Sequence, residues 1–316
     1  MTTTEEPSEE AENSITTADS ILVATDGSDA AEQATRHAVR IAEVCGATVH
    51  ALHVVSPRLL GFLEDRTDQA IETESLGAEA LRVAKRIADE AEVPIQTTVE
   101  YGNPAETILS YVETHDIDLV AMGTRGRTGL PRYLFGSVAE TVLRTATGPV
   151  LATQASEHSM SYDDILVPIA GERESRAVPQ IAINFAEQFD ATLHLFHVVD
   201  RRLLASAYDL GPVRSDVEAT LEERGEDLLT SAKTPLKTAG IEFETHLKSG
   251  LPVSQLRAFV TTADVDLVVM WSHRRRGSDR LLRGSVAESL LRSVTTPMLI
   301  VNGETGDSDS DSIPPE

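Results

Sequence analysis

A long stretch of sequence occurs twice in this chain, and the repeat limits the fold more than any other feature. IDLVAMGTRGRTGLPRYLFGSVAETVLRTATGPVLAT begins at Ile117, and VDLVVMWSHRRRGSDRLLRGSVAESLLRSVTTPMLIV (265–301) matches it without a gap. Earlier segments match too, since SILVATDG aligns with DILVPIAG, and ATVHALHVVS aligns with ATLHLFHVVD. A repeat on this scale predicts two copies of one domain.

The repeat sets the predicted domain boundaries. We place the first copy at 20–154 and the second at 163–302, joined by a polar linker at 155–162. The segments 1–19 and 303–316 are acidic and have few residues to bury, so they are predicted to be disordered tails.

Each copy reads as strands that alternate with amphipathic helices, which is typical of an α/β fold with a helix-covered parallel sheet. In the first copy the strands are predicted at 20–28, 47–55, 94–102, 117–122 and 149–154. Helices are predicted at about 29–44, 74–92 and 137–145, and a further helix is predicted to begin near Pro104. Residues 56–72 are predicted to be a connecting segment. The fold class is therefore two tandem open parallel five-stranded sheets with helices on both faces.

A glycine-bearing loop follows the buried strand that starts at Ile117. Its spacing is G-x2-G-x9-G-S, carried by Gly123, Gly126, Gly136 and Ser137, and Gly136-Ser137 open the next helix. Glycines let the backbone approach a phosphate, and a helix start offers free N–H groups and a positive dipole end. The alternative is that the glycines only shape a turn and Ser137 only caps a helix.

With this spacing the chain resembles the ATP-binding class of the universal stress protein family. The resemblance covers both copies and implies the strand order 3-2-1-4-5, with a ligand at the point where the order reverses. It also implies an ATP-binding module in the stress response. Positions that match the adenosine side are Thr25, Asp26 and Val54. Positions that match the phosphate side and its rim are Met122, Gly123, Arg125, Gly126, Gly136, Ser137 and Val138.

Several of these side chains also have a simpler interpretation. Asp26 either hydrogen-bonds the nucleoside and helps to position Mg²⁺, or it bonds its own turn. Arg125, Arg127 and Arg132 either add positive charge near the phosphates or pair with carboxylates at the surface. His53 and His197 occupy matching strand positions in the two copies, which favours a framework role.

The second copy differs where the chemistry is expected. Ala170 replaces Asp26, Trp271 replaces Gly123 and Arg274 replaces Gly126, so only Gly284 and Ser285 remain of the loop motif. The run from His273 to Arg276 adds basic side chains, which favour an intramolecular or acidic-surface contact over phosphate binding. We therefore expect the nucleotide in the first copy, with the second copy as its pseudo-dimer partner.

Composition excludes several classes of function. The formal net charge is −24, from 51 acidic and 27 basic residues, which disfavours general binding to nucleic acid or anionic lipid. No apolar run approaches the roughly 20 residues of a membrane span, and the N-terminus lacks a signal-peptide pattern, so we expect a cytoplasmic protein. The acid-rich, Lys-poor composition resembles that of haloarchaeal proteins. The single cysteine, Cys45, excludes an intrachain disulfide, and apart from His53 and His197 no histidine pairs with cysteine or carboxylate at metal spacing.

Three functions remain open at this stage. The first is adenine-nucleotide binding without efficient catalysis. The second is a slow ATPase, although no G-x-x-x-x-G-K-[ST] loop or G-x-S-x-G elbow is present. The third is a nucleotide-independent stress scaffold. With the first function, the resemblance implies that the last strands, PVLATQ and PMLIVN, pair edge to edge within one chain, and a homodimer is the alternative arrangement.

Overall fold

Parallel strands and the helices between them build both copies in the computed structural model, which describes residues 18–56, 68–126, 136–156, 160–176, 178–202, 213–273 and 286–303. The first copy contains the strands β1 (Ser20–Ala24), β2 (Thr48–Val55), β3 (Ile95–Tyr101), β4 (Leu119–Gly123) and β5 (Val150–Thr153). Its helices are α1 (Asp29–Cys45), α2 (Asp68–Glu90), α3 (Pro104–Thr114) and α4 (Ser137–Thr145).

The second copy repeats this order of elements. Its strands are β6 (Asp164–Pro168), β7 (Thr192–Asp200), β8 (Phe243–Gly250), β9 (Leu267–His273) and β10 (Met298–Gly303). Its helices are α5 (Glu172–Arg176), α6 (Gln180–Phe189), α7 (Val213–Ala239), α8 (Pro252–Thr262) and α9 (Val286–Ser293). Within the described ranges, no helix is both long enough and apolar enough to cross a membrane.

The strands form one sheet in the order β3-β2-β1-β4-β5-β10-β9-β6-β7-β8. Each half has the predicted order 3-2-1-4-5, and all pairs within a half are parallel. The halves meet where β5 pairs antiparallel with β10, with Leu151 opposite Leu299. The predicted pairing of the last strands is therefore confirmed, and it joins two five-stranded sheets into one ten-stranded sheet.

The two faces of the sheet carry separate hydrophobic cores, and each core runs through both copies. Successive side chains of a strand point to opposite faces. Ile21 therefore lies in one core and Leu22 in the other, and Ile165 and Leu166 repeat this division in the second copy. Burial on both faces explains why these strands read as continuous apolar runs.

The helix boundaries follow the capping residues of the sequence. Ser28 caps α1 by accepting a hydrogen bond from the N–H of Ala31 at 3.3 Å, and Gly46 ends the helix at a φ of 74°. The start predicted for α4 is confirmed at Ser137. The start predicted for α2 is wrong, because the helix already begins at Asp68, inside the segment read as a connection.

Tyr162 lies at the end of the segment predicted to be a polar linker, but its side chain is only 1% exposed. Its hydroxyl lies 2.7 Å from Nδ1 of His37 on α1, and its ring packs edge-on against Phe185 and Phe189 of α6. Residues of both copies therefore enclose this side chain. Because the neighbours of Tyr162 in the sequence are polar, the segment was predicted to be a linker, although Tyr162 is part of the hydrophobic core.

Candidate functional site

Two loops from separate parts of the first copy meet where the strand order reverses. β1 and β4 are hydrogen-bonded neighbours, with Ala24 opposite Met122, so the loops that follow them leave the same edge of the sheet. The Ser28 hydroxyl donates to the backbone carbonyl of Arg125 at 3.2 Å and ties the loops together. We call the space bounded by these loops and the start of α4 the first-copy crevice.

The end of β1 is held in a tight turn. Thr25 is buried, and its hydroxyl oxygen accepts from the N–H of Gly27 at 3.2 Å. Oδ1 of Asp26 accepts from the N–H of Ser28 at 3.0 Å, which is the local turn role that the sequence left as an alternative. Asp26 is half-buried beside the loop that follows β4.

The first two glycines of the loop motif fit tightly against the protein itself. A Cβ on Gly123 would lie 2.8 Å from backbone atoms of both Ala30 and Ala31, at the start of α1. A Cβ on Gly126 would lie 2.5 Å from Oδ2 of Asp26. Packing against backbone therefore accounts for glycine at position 123, whereas a side chain at position 126 would require only the Asp26 carboxylate to move.

Gly136 differs from the other two glycines because its surroundings are open. A Cβ there would meet nothing closer than the Thr124 carbonyl oxygen at 3.7 Å. Gly136 is the N-cap of α4 and provides no side-chain cap, while its own N–H donates to the Thr124 carbonyl at 3.0 Å. Ser137 is exposed and Val138 is half-buried at this helix start. Among the described residues, the N-cap of α4 thus leaves the N–H groups of the first turn without a side-chain cap, which favours an anion.

Of the remaining predicted site residues, two pack against the core near strand ends and the third faces the junction of the copies. Val54 is half-buried near the end of β2, and Met122 is buried near the end of β4, both against the same core. The guanidinium of Arg125 instead donates to Oε1 of Gln154 at 3.0 Å. Nε2 of Gln154 donates to the Leu291 carbonyl of α9 at 2.7 Å, so Arg125 faces the junction of the copies. Arg127 and Arg132 lie outside the described residues.

His53 and His197 play the same structural part in the two copies. Nδ1 of His53 lies 2.8 Å from the Thr25 carbonyl oxygen, and Nδ1 of His197 lies 2.6 Å from that of Ile169. Each ring also packs on a helix glycine, since a Cβ on Gly77 would lie 2.3 Å from the first ring and one on Gly225 2.8 Å from the second. These contacts agree with the predicted framework role.

The second copy contains a cavity of about 500 Å³ at the corresponding strand ends. Ala170, Trp271, Arg202 and Arg224 are among its lining residues. The basic run from Arg274 to Arg276 and the pair Gly284-Ser285 lie outside the described residues, as does the side chain of His273. Sequence reasoning anticipated the bulk of Trp271 but missed that a cavity persists beside it.

The opening helix of the second copy also differs from its counterpart. α1 is continuous, whereas the second copy has the short α5 and then α6, which begins after Pro179. Proline lacks an N–H and does not continue a helix. In addition, Trp271 replaces the glycine on which α1 rests in the first copy. Together these residues explain why the second copy does not rebuild the tight contact at the crevice.

Comparisons with known proteins identify relatives for both copies. The universal stress protein family matches residues 17–154 and again residues 161–302. A universal stress protein of Methanocaldococcus jannaschii is 40% identical over 137 residues, covering 42% of this chain and 81% of the relative. A universal stress protein of Mycolicibacterium smegmatis is 25% identical over 296 residues, covering 89% of this chain and 96% of the relative.

The fold has a counterpart among solved structures. The crystal structure of a universal stress protein from Archaeoglobus fulgidus has a TM-score of 0.66 and covers 90% of this chain and 98% of its own. At 22% sequence identity, this likeness supports the tandem α/β fold alone.

Proposed function

The chain belongs to the universal stress protein family, and we propose that its first copy binds an adenine nucleotide such as ATP in the first-copy crevice. The observation that carries this proposal is the uncapped start of α4, which lies at the reversal of the strand order beside the end of β1. Ligands of open α/β sheets bind outside the carboxyl ends of the strands at such a point.

The groups around the crevice divide between the two ends of a nucleotide. The N–H groups of the first turn of α4 and the exposed Ser137 hydroxyl would hold phosphate oxygens. Thr25, Asp26 and the half-buried Val54 would line the adenosine side. Asp26 would also be the residue closest in character to a Mg²⁺ ligand, since carboxylate oxygens suit that ion.

We propose binding without efficient turnover. Oδ1 of Asp26 is already engaged by the N–H of Ser28, and Arg125 is directed at Gln154. Arg125 is therefore not arranged as an arginine finger, and the sequence of the first copy offers no clear general base or nucleophile. We expect phosphate release from ATP to stay near the uncatalysed level in a coupled assay. Rapid, Asp26-dependent release would contradict this part of the proposal.

The test is a calorimetric titration of the full chain with ATP in molar KCl and Mg²⁺, on wild type and on Gly136→Ser. The space around Gly136 admits a serine side chain. A serine hydroxyl at this N-cap would accept from the same N–H groups that a phosphate needs, at a gain of only a few tenths of a kcal/mol in stability. Losing one charge-assisted hydrogen bond of about 1.5–3 kcal/mol should weaken ATP binding roughly 10- to 100-fold.

Gly148→Ser is the matched control, because Gly148 also has room for a Cβ, with its nearest contact at 3.8 Å, and lies in the turn before β5. It should leave ATP affinity unchanged. Absence of binding to well-folded wild type, or equal affinity in Gly136→Ser, would overturn the proposal.

A nucleotide-independent scaffold is the second candidate. It is favoured by the finding that packing alone accounts for glycine at position 123. In that case neither ATP heat nor an ATP-dependent thermal shift would be observed.

A further inference from the structure

Four polar side chains of the second copy meet on neighbouring strands, away from the strand ends that form its cavity. His194 lies near the start of β7, directly opposite Glu244 of β8, and His246 follows two residues later on the same face. Asp164 is the first residue of β6, on the other side of β7. The cluster therefore spans three adjacent strands, of which β8 is the last in the order of the sheet.

The hydrogen bond to Asp164 determines how His194 is oriented. Nε2 of His194 lies 2.7 Å from Oδ1 of Asp164, so the ring donates its Nε2 proton to the carboxylate. In the neutral imidazole, Nδ1 then carries a lone pair. A carboxylate behind a histidine in this way is the usual support of a metal-binding imidazole.

The Nδ1 lone pair of His194 faces two more metal-ligand atoms. Its Nδ1 lies 3.1 Å from Nε2 of His246 and 3.6 Å from Oε2 of Glu244. The last two atoms are also 3.6 Å apart. Ligand atoms bound to one tetrahedral ion at about 2.0–2.1 Å stand about 3.4 Å from each other. The three measured separations bracket this value.

The first copy shows what these strands look like without the cluster. Its His50 occupies the position of His194, but Gln96 and Thr98 stand where the second copy has Glu244 and His246. Ser20 stands where the second copy has Asp164.

The helix that packs on these strands, α3 in the first copy and α8 in the second, also differs in a way that favours a metal site in the second copy. In the first copy the Tyr111 hydroxyl lies within hydrogen-bond distance of Nδ1 of His50, at 3.1 Å. Phe259 replaces this tyrosine in the second copy and packs against the rings of His194 and His246. The second copy thus lacks this competing hydroxyl and gains two ligand atoms and a supporting carboxylate.

We propose that His194, Glu244 and His246 bind a transition-metal ion of the Zn²⁺ type, with Asp164 as the hydrogen-bonding support of His194. Two imidazoles and one carboxylate suit Zn²⁺ and its neighbours better than Mg²⁺ or Ca²⁺. His194 is buried, His246 is half-buried and Glu244 is exposed, so an ion can enter from solvent and keep a water ligand. The bound ion fastens β8 to β7.

The test is a calorimetric titration of the full chain with ZnCl₂, after treatment with a chelator, in buffer that contains KCl and excess Mg²⁺. The excess Mg²⁺ occupies the many surface carboxylates. We expect one Zn²⁺ per chain and a rise in the thermal midpoint. His246→Thr and Glu244→Gln install the residues of the first copy and should each weaken Zn²⁺ binding at least tenfold. Asp164→Asn should weaken it roughly 10- to 100-fold, as expected for a supporting partner.

Matched controls come from the same register in the first copy. Gln96→Ala and Thr98→Ala should leave Zn²⁺ affinity unchanged. Glu244 is exposed, so Glu244→Gln should fold normally, and circular dichroism checks this. Co²⁺ bound to the wild type should give the visible absorption of a four-coordinate site, which Glu244→Gln reduces. Absence of Zn²⁺ binding, or equal binding in Glu244→Gln and His246→Thr, would mean that the histidines only hydrogen-bond each other and would overturn the proposal.

Discussion

Replacing Gly123 with alanine separates two explanations of the same residue. If Gly123 is needed for packing, the added methyl group should destabilise the first copy. If it is needed only for a ligand's approach, the methyl group should weaken nucleotide binding and leave stability unchanged. The structure favours packing, because the new Cβ would lie 2.8 Å from the carbonyl carbon of Ala30 and from the nitrogen of Ala31.

The expected size of the effect follows from how firmly α1 is held. Ordinary contacts begin at 3.4 Å, so the start of the helix would have to retreat by about 0.6 Å in an interior that is close-packed. Two hydrogen bonds resist this movement, from the Thr153 hydroxyl to the Ala30 carbonyl at 2.8 Å and from the Ser28 hydroxyl to the Arg125 carbonyl at 3.2 Å. Overpacking of this kind costs about 1–3 kcal/mol.

The assay is urea unfolding of the full chain, followed by far-ultraviolet circular dichroism, with a thermal scan as a second measurement. We expect Gly123→Ala to lower the thermal midpoint by about 3 °C or more. Gly148→Ala is the control, since its Cβ would meet nothing closer than 3.8 Å, and it should be neutral or slightly stabilising. A Gly123→Ala protein as stable as the control, but unable to bind ATP, would refute the packing explanation.

Three further substitutions test contacts that join separate elements. Tyr162→Phe removes the hydroxyl that meets His37 and should cost about 1 kcal/mol at neutral pH. Burial raises the pKa of Tyr162 in the folded state, so on raising the pH the tyrosine of the unfolded state loses its proton first, at about pH 10. As the pH rises further, the wild type should therefore lose stability, whereas Tyr162→Phe should show no loss from this residue. Gln154→Ala should cost about 1–3 kcal/mol, and differential scanning calorimetry should detect weaker coupling between the copies, whereas an unchanged scan would contradict the contact. Gly77→Ala should destabilise the protein in the same scan despite the higher helix propensity of alanine, because the new Cβ would lie 2.3 Å from the ring of His53.

Much of the fold could be predicted because the repeat and the buried strands are local patterns. Strand order and the pairing of β5 with β10 follow from the family resemblance and from the exposed edge of each half. The start of α4 was predictable because Gly136-Ser137 mark it in the sequence. In contrast, the start of α2 has no comparable signal, and the burial of Tyr162 depends on an aromatic cluster built from distant residues.

The candidate sites divide in the same way. The sequence brought Asp26 and Gly126 to one crevice, but it could not show that a Cβ on Gly126 would meet the Asp26 carboxylate. The cluster of His194, Glu244 and His246 was missed because His194 meets the other two residues only across neighbouring strands. A usable signal was present, however, since Glu244 and His246 replace Gln96 and Thr98 at matching strand positions.

The junction of the copies explains how the second copy can lack the glycine loop motif and still pair with the first copy. Its contribution there comes from β10, which pairs with β5, and from carbonyls at the end of α9, which accept from Gln154. Asn302 adds a bond from its side-chain amide to the Gly148 carbonyl at 3.2 Å. None of these groups belongs to the positions where Trp271 and Arg274 replace glycine. Changes at the loop of the second copy therefore leave the pairing of the halves intact, while Gln154, which also accepts from Arg125, connects that pairing to the edge of the first-copy crevice.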